Sequence, residues 1–170
     1  MKPIESLFAI GQALNNVHFD DLPRAHDILH SAWRILFIGN GGSASIASHM
    51  AIDFCKNGGT PALALNDSAV LTCVANDMGY DNVFCAQITW HSLPSDVLVA
   101  ISSSGRSENI LSAVTQFQEL NPSSLVVTLS GFDADNPLRK MGDVNFYVDS
   151  RDYAVVEITH LSILHSLVMP

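Results

Sequence analysis

His49 and Asp53 stand four residues apart in "FIGNGGSASIASHMAIDF" (37–54), and Glu157 and His165 stand eight apart in "EITHLSILH" (157–165). At helical spacing the first pair shares one face. The second pair is two turns apart, on faces that differ by roughly 80°. Carboxylates and imidazoles serve as general acids and bases, and both are ligand types that zinc takes. Spacing alone leaves plainer readings open. H-x-x-x-D is common as a surface pair, and a histidine among apolar neighbours is commonly a core or interface residue. His160 is a rival ligand, with a structural hydrogen bond as its more ordinary role. His18, His26, His30 and His91 read as surface or interface positions.

Two small polar stretches follow apolar runs, "GNGGSAS" (39–45) and "SSSGRSEN" (102–109). Glycines let the backbone turn sharply and approach a ligand, and a following helix aims free N–H groups and its positive dipole end at that ligand. The second stretch sets Ser102, Ser103, Ser104 and Ser107 around Gly105, more hydroxyls than one helix cap needs. "GNGGS" lacks the third glycine of the dinucleotide fingerprint, where Ala44 stands, and the lysine of a P-loop. Two such loops in one sheet point to a phosphorylated small molecule. Arg106, inside the serine stretch, is open to two readings, an anion contact or a solvated side chain.

These residues need a frame. Residues 4–15 and 22–34 read as amphipathic helices, with Asp20 or Asp21 as cap of the second. Strands are expected at 34–40, 60–66, 96–104, 124–131 and 144–150. Helices are expected at 43–56, 68–77, 81–93 and 107–120, with a short one in "NPLRKMG" and a long one at 152–169. Apolar strands alternating with helices indicate an α/β fold: a doubly wound, flavodoxin-like or Rossmann-like parallel five-stranded sheet with helices on both faces. Ligands of such sheets collect beyond the carboxyl ends of the strands. Residues 1–33 read as an N-terminal helical arm of the same domain, suited to subunit packing, ahead of the main unit at 34–170.

The chain has 170 residues, 48% of them apolar and 15% charged, enough for one domain with a full core and consistent with surface buried in an oligomer. Its formal net charge of −9 disfavours nucleic acid and anionic membranes as partners, though not a small anion held by backbone N–H groups. No apolar run reaches the roughly 18–20 residues of a membrane span. No secretory signal is read at the N-terminus. Cys55, Cys73 and Cys85 lie in apolar segments without metal-type spacing and read as reduced, buried thiols of a cytoplasmic protein.

"GNGGSASIASH", "LTCVANDMGYDNVF", "AISSSGRSENI" and "EITHLSILH" together resemble the sugar isomerase (SIS) domain in its phosphoheptose isomerase branch, from about Arg34 to the C-terminus. The resemblance implies a homotetramer with sites at subunit interfaces. It implies conversion of sedoheptulose 7-phosphate to D-glycero-D-manno-heptose 7-phosphate, a precursor of the heptose of bacterial surface lipopolysaccharide. It gives Asn40, Gly41, Gly42, Ser43, Asp77, Ser102, Ser103, Ser104, Ser107 and Glu157 as substrate contacts. Asp53 and His165 become the proton-handling residues, and His49, Asp53, Glu157 and His165 the ligands of one zinc ion. This chain departs from the pattern in carrying Asp53 for a glutamate, Glu157 for a glutamine, Ala154 for an aspartate and Arg106 for an asparagine. "KNGGTPALAL" is shorter than its counterpart and lacks an arginine. The same branch includes a non-catalytic tetramer that binds the replication initiator DnaA, so an adaptor or a sugar-phosphate sensor is the alternative expectation.

Overall fold

The computed structural model describes residues 3–170. Two helices, α1 (Pro3–Asn16) and α2 (Leu22–Ser31), precede an alternation of strands and helices: β1 (Arg34–Gly39), α3 (Gly42–Asp53), β2 (Ala62–Ala64), α4 (Ser68–Met78), α5 (Cys85–His91), β3 (Asp96–Ser102), α6 (Glu108–Leu120), β4 (Val126–Gly131), β5 (Val144–Val148) and α7 (Tyr153–Ser166). The five strands are all parallel, in the order β2-β1-β3-β4-β5. This is the expected doubly wound sheet. Its order reverses between β1 and β3, so the loops after those two strands flank the crevice where such sheets bind ligands.

The period-2 alternation of each strand feeds two cores. Ile35, Phe37, Val97, Val99, Ile101, Val127 and Leu129 pack on one face with Ala25, Leu29, Met50, Phe54, Val156 and Leu164 of α2, α3, α7 and the turn after α3. Leu36, Ile38, Leu98, Ala100 and Val126 pack on the other with Val74, Ile88, Ile110 and Phe117 of α4, α5 and α6. Ala13, Ala25, Ile28 and Leu29 belong to the first core, and α1 lies along α7. Residues 3–31 are therefore packed onto the main unit, while Ile4, Leu7 and Phe8 stay exposed on the outer side of α1.

Local chemistry sets the ends of the elements. Asp67 accepts hydrogen bonds from the N–H groups of Ala69 and Val70 and caps α4, and Asp152 caps α7 through Ala154 and Val155. Asp21 occupies the N-cap position of α2 but makes no side-chain cap bond. The helix expected over 43–56 ends at Asp53 and widens into a π-helical turn, Phe54–Gly58, closed by Gly59 at φ 72°. The expected strand 60–66 pairs over three residues only, with Leu63 exposed at the sheet edge. Segment 81–93 divides into a 3-10 turn, Tyr80–Asn82, and α5. The cysteines correct an expectation: all three are free, but Cys55 and Cys73 are exposed and Cys85 is only half-buried. Among the described residues no helix is long and apolar enough to cross a membrane.

Candidate active site

The loop after β3 is built around its own hydroxyls. Ser102 Oγ accepts the Gly105 N–H at 3.2 Å and lies 3.2 Å from Ser107 Oγ, and Ser104 Oγ accepts the Arg106 N–H at 3.3 Å. Gly105 takes φ +63°, and a Cβ there would lie 2.0 Å from Asn136 Oδ1. Asn136 is fully buried and cannot yield, because its amide donates to Ser130, Gly131 and Asp133 and its Oδ1 accepts the Arg139 N–H. The loop is thus clamped from behind, with its serines turned toward the crevice.

Across the crevice stands the loop after β1. Asn40 forms a head-to-head amide pair with Asn109 of α6, at 2.9 and 3.0 Å, and Tyr80 donates its hydroxyl to Asn40 Oδ1 at 2.9 Å. Gly39 must be glycine, since a Cβ would meet the Ser43 backbone at 2.7 Å. Between the loops lies a cavity of about 140 Å³ lined by Asn40, Ser43, Ile101, Ser102, Ser103, Ser104, Ser107, Tyr153 and Glu157. Ser103 Oγ is buried in this wall and has no hydrogen-bond partner among the described residues. A buried hydroxyl left unpaired is costly, and a bound oxyanion would satisfy it. Among the described residues of the lining, Glu157 is the only formally charged one.

Glu157 also joins this cavity to a second, largely apolar cleft lined by Gly42, Ser45, Ile46, His49, Glu157, Ile158 and Leu161. Its carboxylate lies over the start of α3, where a Cβ on Gly42 would come within 2.2 Å of Oε2. Burial pushes the Glu157 carboxyl above its ordinary range. Farther along α3 and α7, His49 Nε2 lies 3.2 Å and His165 Nδ1 3.5 Å from the same Asp53 oxygen, and the two rings meet edge to face at 5.0 Å. One donor atom from each of these three residues falls within 4.8 Å of the others. Two imidazoles and a carboxylate are three protein ligands of the kind that leave a catalytic metal one open position.

The structure therefore gathers the expected residues into the cavity and the neighbouring donor group, and leaves Asp77 apart from both. Asn40, Ser43, Ser102, Ser103, Ser104, Ser107 and Glu157 share the cavity; Gly41, at φ +54°, and Gly42 shape the turn beneath it. Asp77 is exposed at the end of α4, where it accepts from Asn76 and Cys73, and it does not line the cavity. Glu157 is not in the three-residue donor group, so within this chain the group is His49, Asp53 and His165. Arg106 turns away from the cavity to Asp133 and Asp135. His160 is fully buried on the Ser130 carbonyl at 3.1 Å, the structural role, and burial lowers its pKa to about 4. Sequence reasoning assigned no role to Tyr80, Asn109, Asn136 and Tyr153. Tyr80 and Asn109 lie inside the quoted motifs, whereas Asn136 and Tyr153 carry no local signal.

A model of the SIS domain matches residues 10–128. The phosphoheptose isomerase of Helicobacter pylori is 35% identical over 147 residues, which cover 83% of this chain and 75% of that protein. The chain belongs to the SIS-domain family, in its phosphoheptose isomerase branch. Two solved structures agree with that placement. Phosphoheptose isomerase GmhA from Neisseria gonorrhoeae superimposes with a TM-score of 0.85 at 31% identity, over 96% of this SIS-domain chain and 92% of that one. The enzyme from Francisella tularensis gives 0.83 at 30% identity, over 96% and 90%.

Proposed function

We propose that this SIS-domain chain is an aldose–ketose isomerase that converts sedoheptulose 7-phosphate to D-glycero-D-manno-heptose 7-phosphate. The observation that carries the reading is the serine cavity with its buried Ser103 hydroxyl, unpaired among the described residues, joined through Glu157 to the cleft that reaches His49. The phosphate sits among Ser43, Ser102, Ser103, Ser104 and Ser107, with Asn40 on the sugar. Isomerisation removes a proton from C1 of the ketose, passes through an enediol and returns a proton to C2. Two carboxylates are candidates to accept that proton. Asp53 is oriented by His49 and His165, and Glu157 has a proton affinity raised by burial. His165 shuttles a proton at the sugar oxygens.

His49, Asp53 and His165 fit a zinc ion by donor type and proximity. Zinc so bound would act as a Lewis acid on the substrate carbonyl. The reading extends to a cytoplasmic homotetramer whose sites lie at subunit seams and whose product supplies lipopolysaccharide heptose. Supporting the seams are the exposed Ile4, Leu7, Phe8, Ile52 and Ile158 and the open apolar cleft beside His49. A DnaA-binding adaptor or non-catalytic sensor is not favoured, because the relatives of this chain are named as isomerases and His49, Asp53 and His165 come together as a donor group.

The test is turnover of sedoheptulose 7-phosphate with and without added zinc, beside Asp53→Ala and Glu157→Gln. We expect turnover that rises with zinc and falls by about 100-fold or more in Asp53→Ala, the scale of losing a positioned acid–base group. Binding of the sugar phosphate without turnover under both conditions would reject an isomerase.

A further inference from the structure

The helices ahead of β1 carry side chains that the chemistry above does not use. On α2, His26 and His30 are one turn apart, with ring centroids at 4.3 Å. Each sets its Nε2 against a main-chain carbonyl of the segment after α7. His30 Nε2 is 3.0 Å from the Leu167 oxygen, and His26 Nε2 is 2.9 Å from the Met169 oxygen. The last carbonyls of a helix have no partner within it, so a side-chain donor there fixes where the segment leaves. Leu167 and Val168 bury their side chains in the core, which holds the same segment from its other side.

A third element closes on this point. Gly58, at the end of the π-helical turn after Asp53, packs so closely that a Cβ would lie 2.6 Å from the Val168 oxygen and 3.5 Å from His30 Cε1. The His30 ring also lies 5.9 Å from that of Phe54, the buried residue next to Asp53. So α2 grips the chain one residue past Asp53 and two residues past His165. Those two residues meet at only 3.5 Å, with His165 about half exposed and otherwise in edge contact with His49.

We propose that His26 and His30 are positioning residues: they clasp the end of α7 against the turn after α3 and thereby set the approach of His165 to Asp53. In its catalytic consequence this rests on the isomerase reading. The two hydrogen bonds contribute only modestly to stability. Misplacement of a reacting group by an ångström, in contrast, costs up to about 100-fold in rate. Loss of the clasp therefore falls on kcat, and the serine loop, which the clasp does not touch, keeps KM.

The experiment uses the full chain and compares His30→Ala, His30→Gln and His26→Ala with the unmodified protein. It measures kcat and KM for sedoheptulose 7-phosphate, the thermal midpoint, and the imidazole NMR signals of His165, assigned through His165→Gln. We expect kcat to fall about tenfold or more in His30→Ala with KM within about twofold, and the His165 signals to move. In His30→Gln, an amide able to donate to the Leu167 carbonyl restores both. Unmoved His165 signals with unchanged kcat overturn the proposal. So does a loss that only tracks the folded fraction and that glutamine does not rescue. Should His30→Ala fail to fold, His26→Ala, at the outer bond, decides by the same criteria. Absence of turnover in the unmodified protein would reject the isomerase reading, while the His165 signals still decide the clasp.

Discussion

Ser103 is the residue on which the ligand reading turns. Its neighbours Ser102 and Ser104 accept N–H groups of the loop itself, whereas Ser103 Oγ is buried with no hydrogen-bond partner among the described residues. A hydrogen bond to a charged oxygen contributes about 1.5–3 kcal/mol. Ser103→Ala is therefore expected to raise KM for the sugar phosphate by roughly 10- to 100-fold, with a thermal midpoint that holds or rises. Steady-state kinetics and a melting curve check both parts. This distinction among adjacent serines was not legible in "SSSGRSEN", because it depends on which hydroxyl the folded loop consumes. The types of residue were legible; their division of labour was not.

At the scale of elements, the serine loop depends on a partner from another strand connection. Gly105 is held at a positive φ and faced by Asn136, whose hydrogen bonds fasten it to the β4–β5 connection. Gly105→Ala would incur about 1–2 kcal/mol for the left-handed conformation before any collision. For a chain of this length each kcal/mol moves the midpoint by about 2–4 °C, so a drop of about 5 °C or more is expected by calorimetry. The strand–helix alternation and the sheet's handling of both faces were readable from period-2 apolar runs. Asn136 was not, since a buried asparagine in a loop looks like any turn residue until its partners are known. The three-residue length of β2 and the π-helical turn after Asp53 likewise come from tertiary pairing, with Gly58 packed on Val168, rather than from local preference.

For the molecule as a whole, the buried His160 ties stability to pH. Its folded pKa of about 4 lies below the ordinary 6.5, so the unfolded chain binds a proton that the folded chain refuses. The resulting stability is complete above pH 6.5, declines as pH falls, and is gone near pH 4. The span corresponds to a loss on the order of 3 kcal/mol. Denaturant melts of the native chain and His160→Gln across this range should converge toward acid, the variant having the flatter profile. Parallel curves would show that His160 is not the group responsible. The sequence offered His160 as a metal ligand or a structural hydrogen bond, and only the closing of α7 over β4 separates the two.

The cavity proposed for the phosphate, between the first and third strands, is lined by neutral hydroxyls and one carboxylate, on a protein of formal net charge −9. Among the described residues no cationic side chain lines it, and Arg106 beside it is already matched by Asp133 and Asp135. A dianionic substrate therefore approaches against the field of the molecule rather than along it. Ionic strength should act in the sense opposite to electrostatic steering. As the screening length shrinks from about 30 Å at 0.01 M to about 8 Å at 0.15 M, kcat/KM should hold or rise where a cation-lined phosphate site would lose affinity.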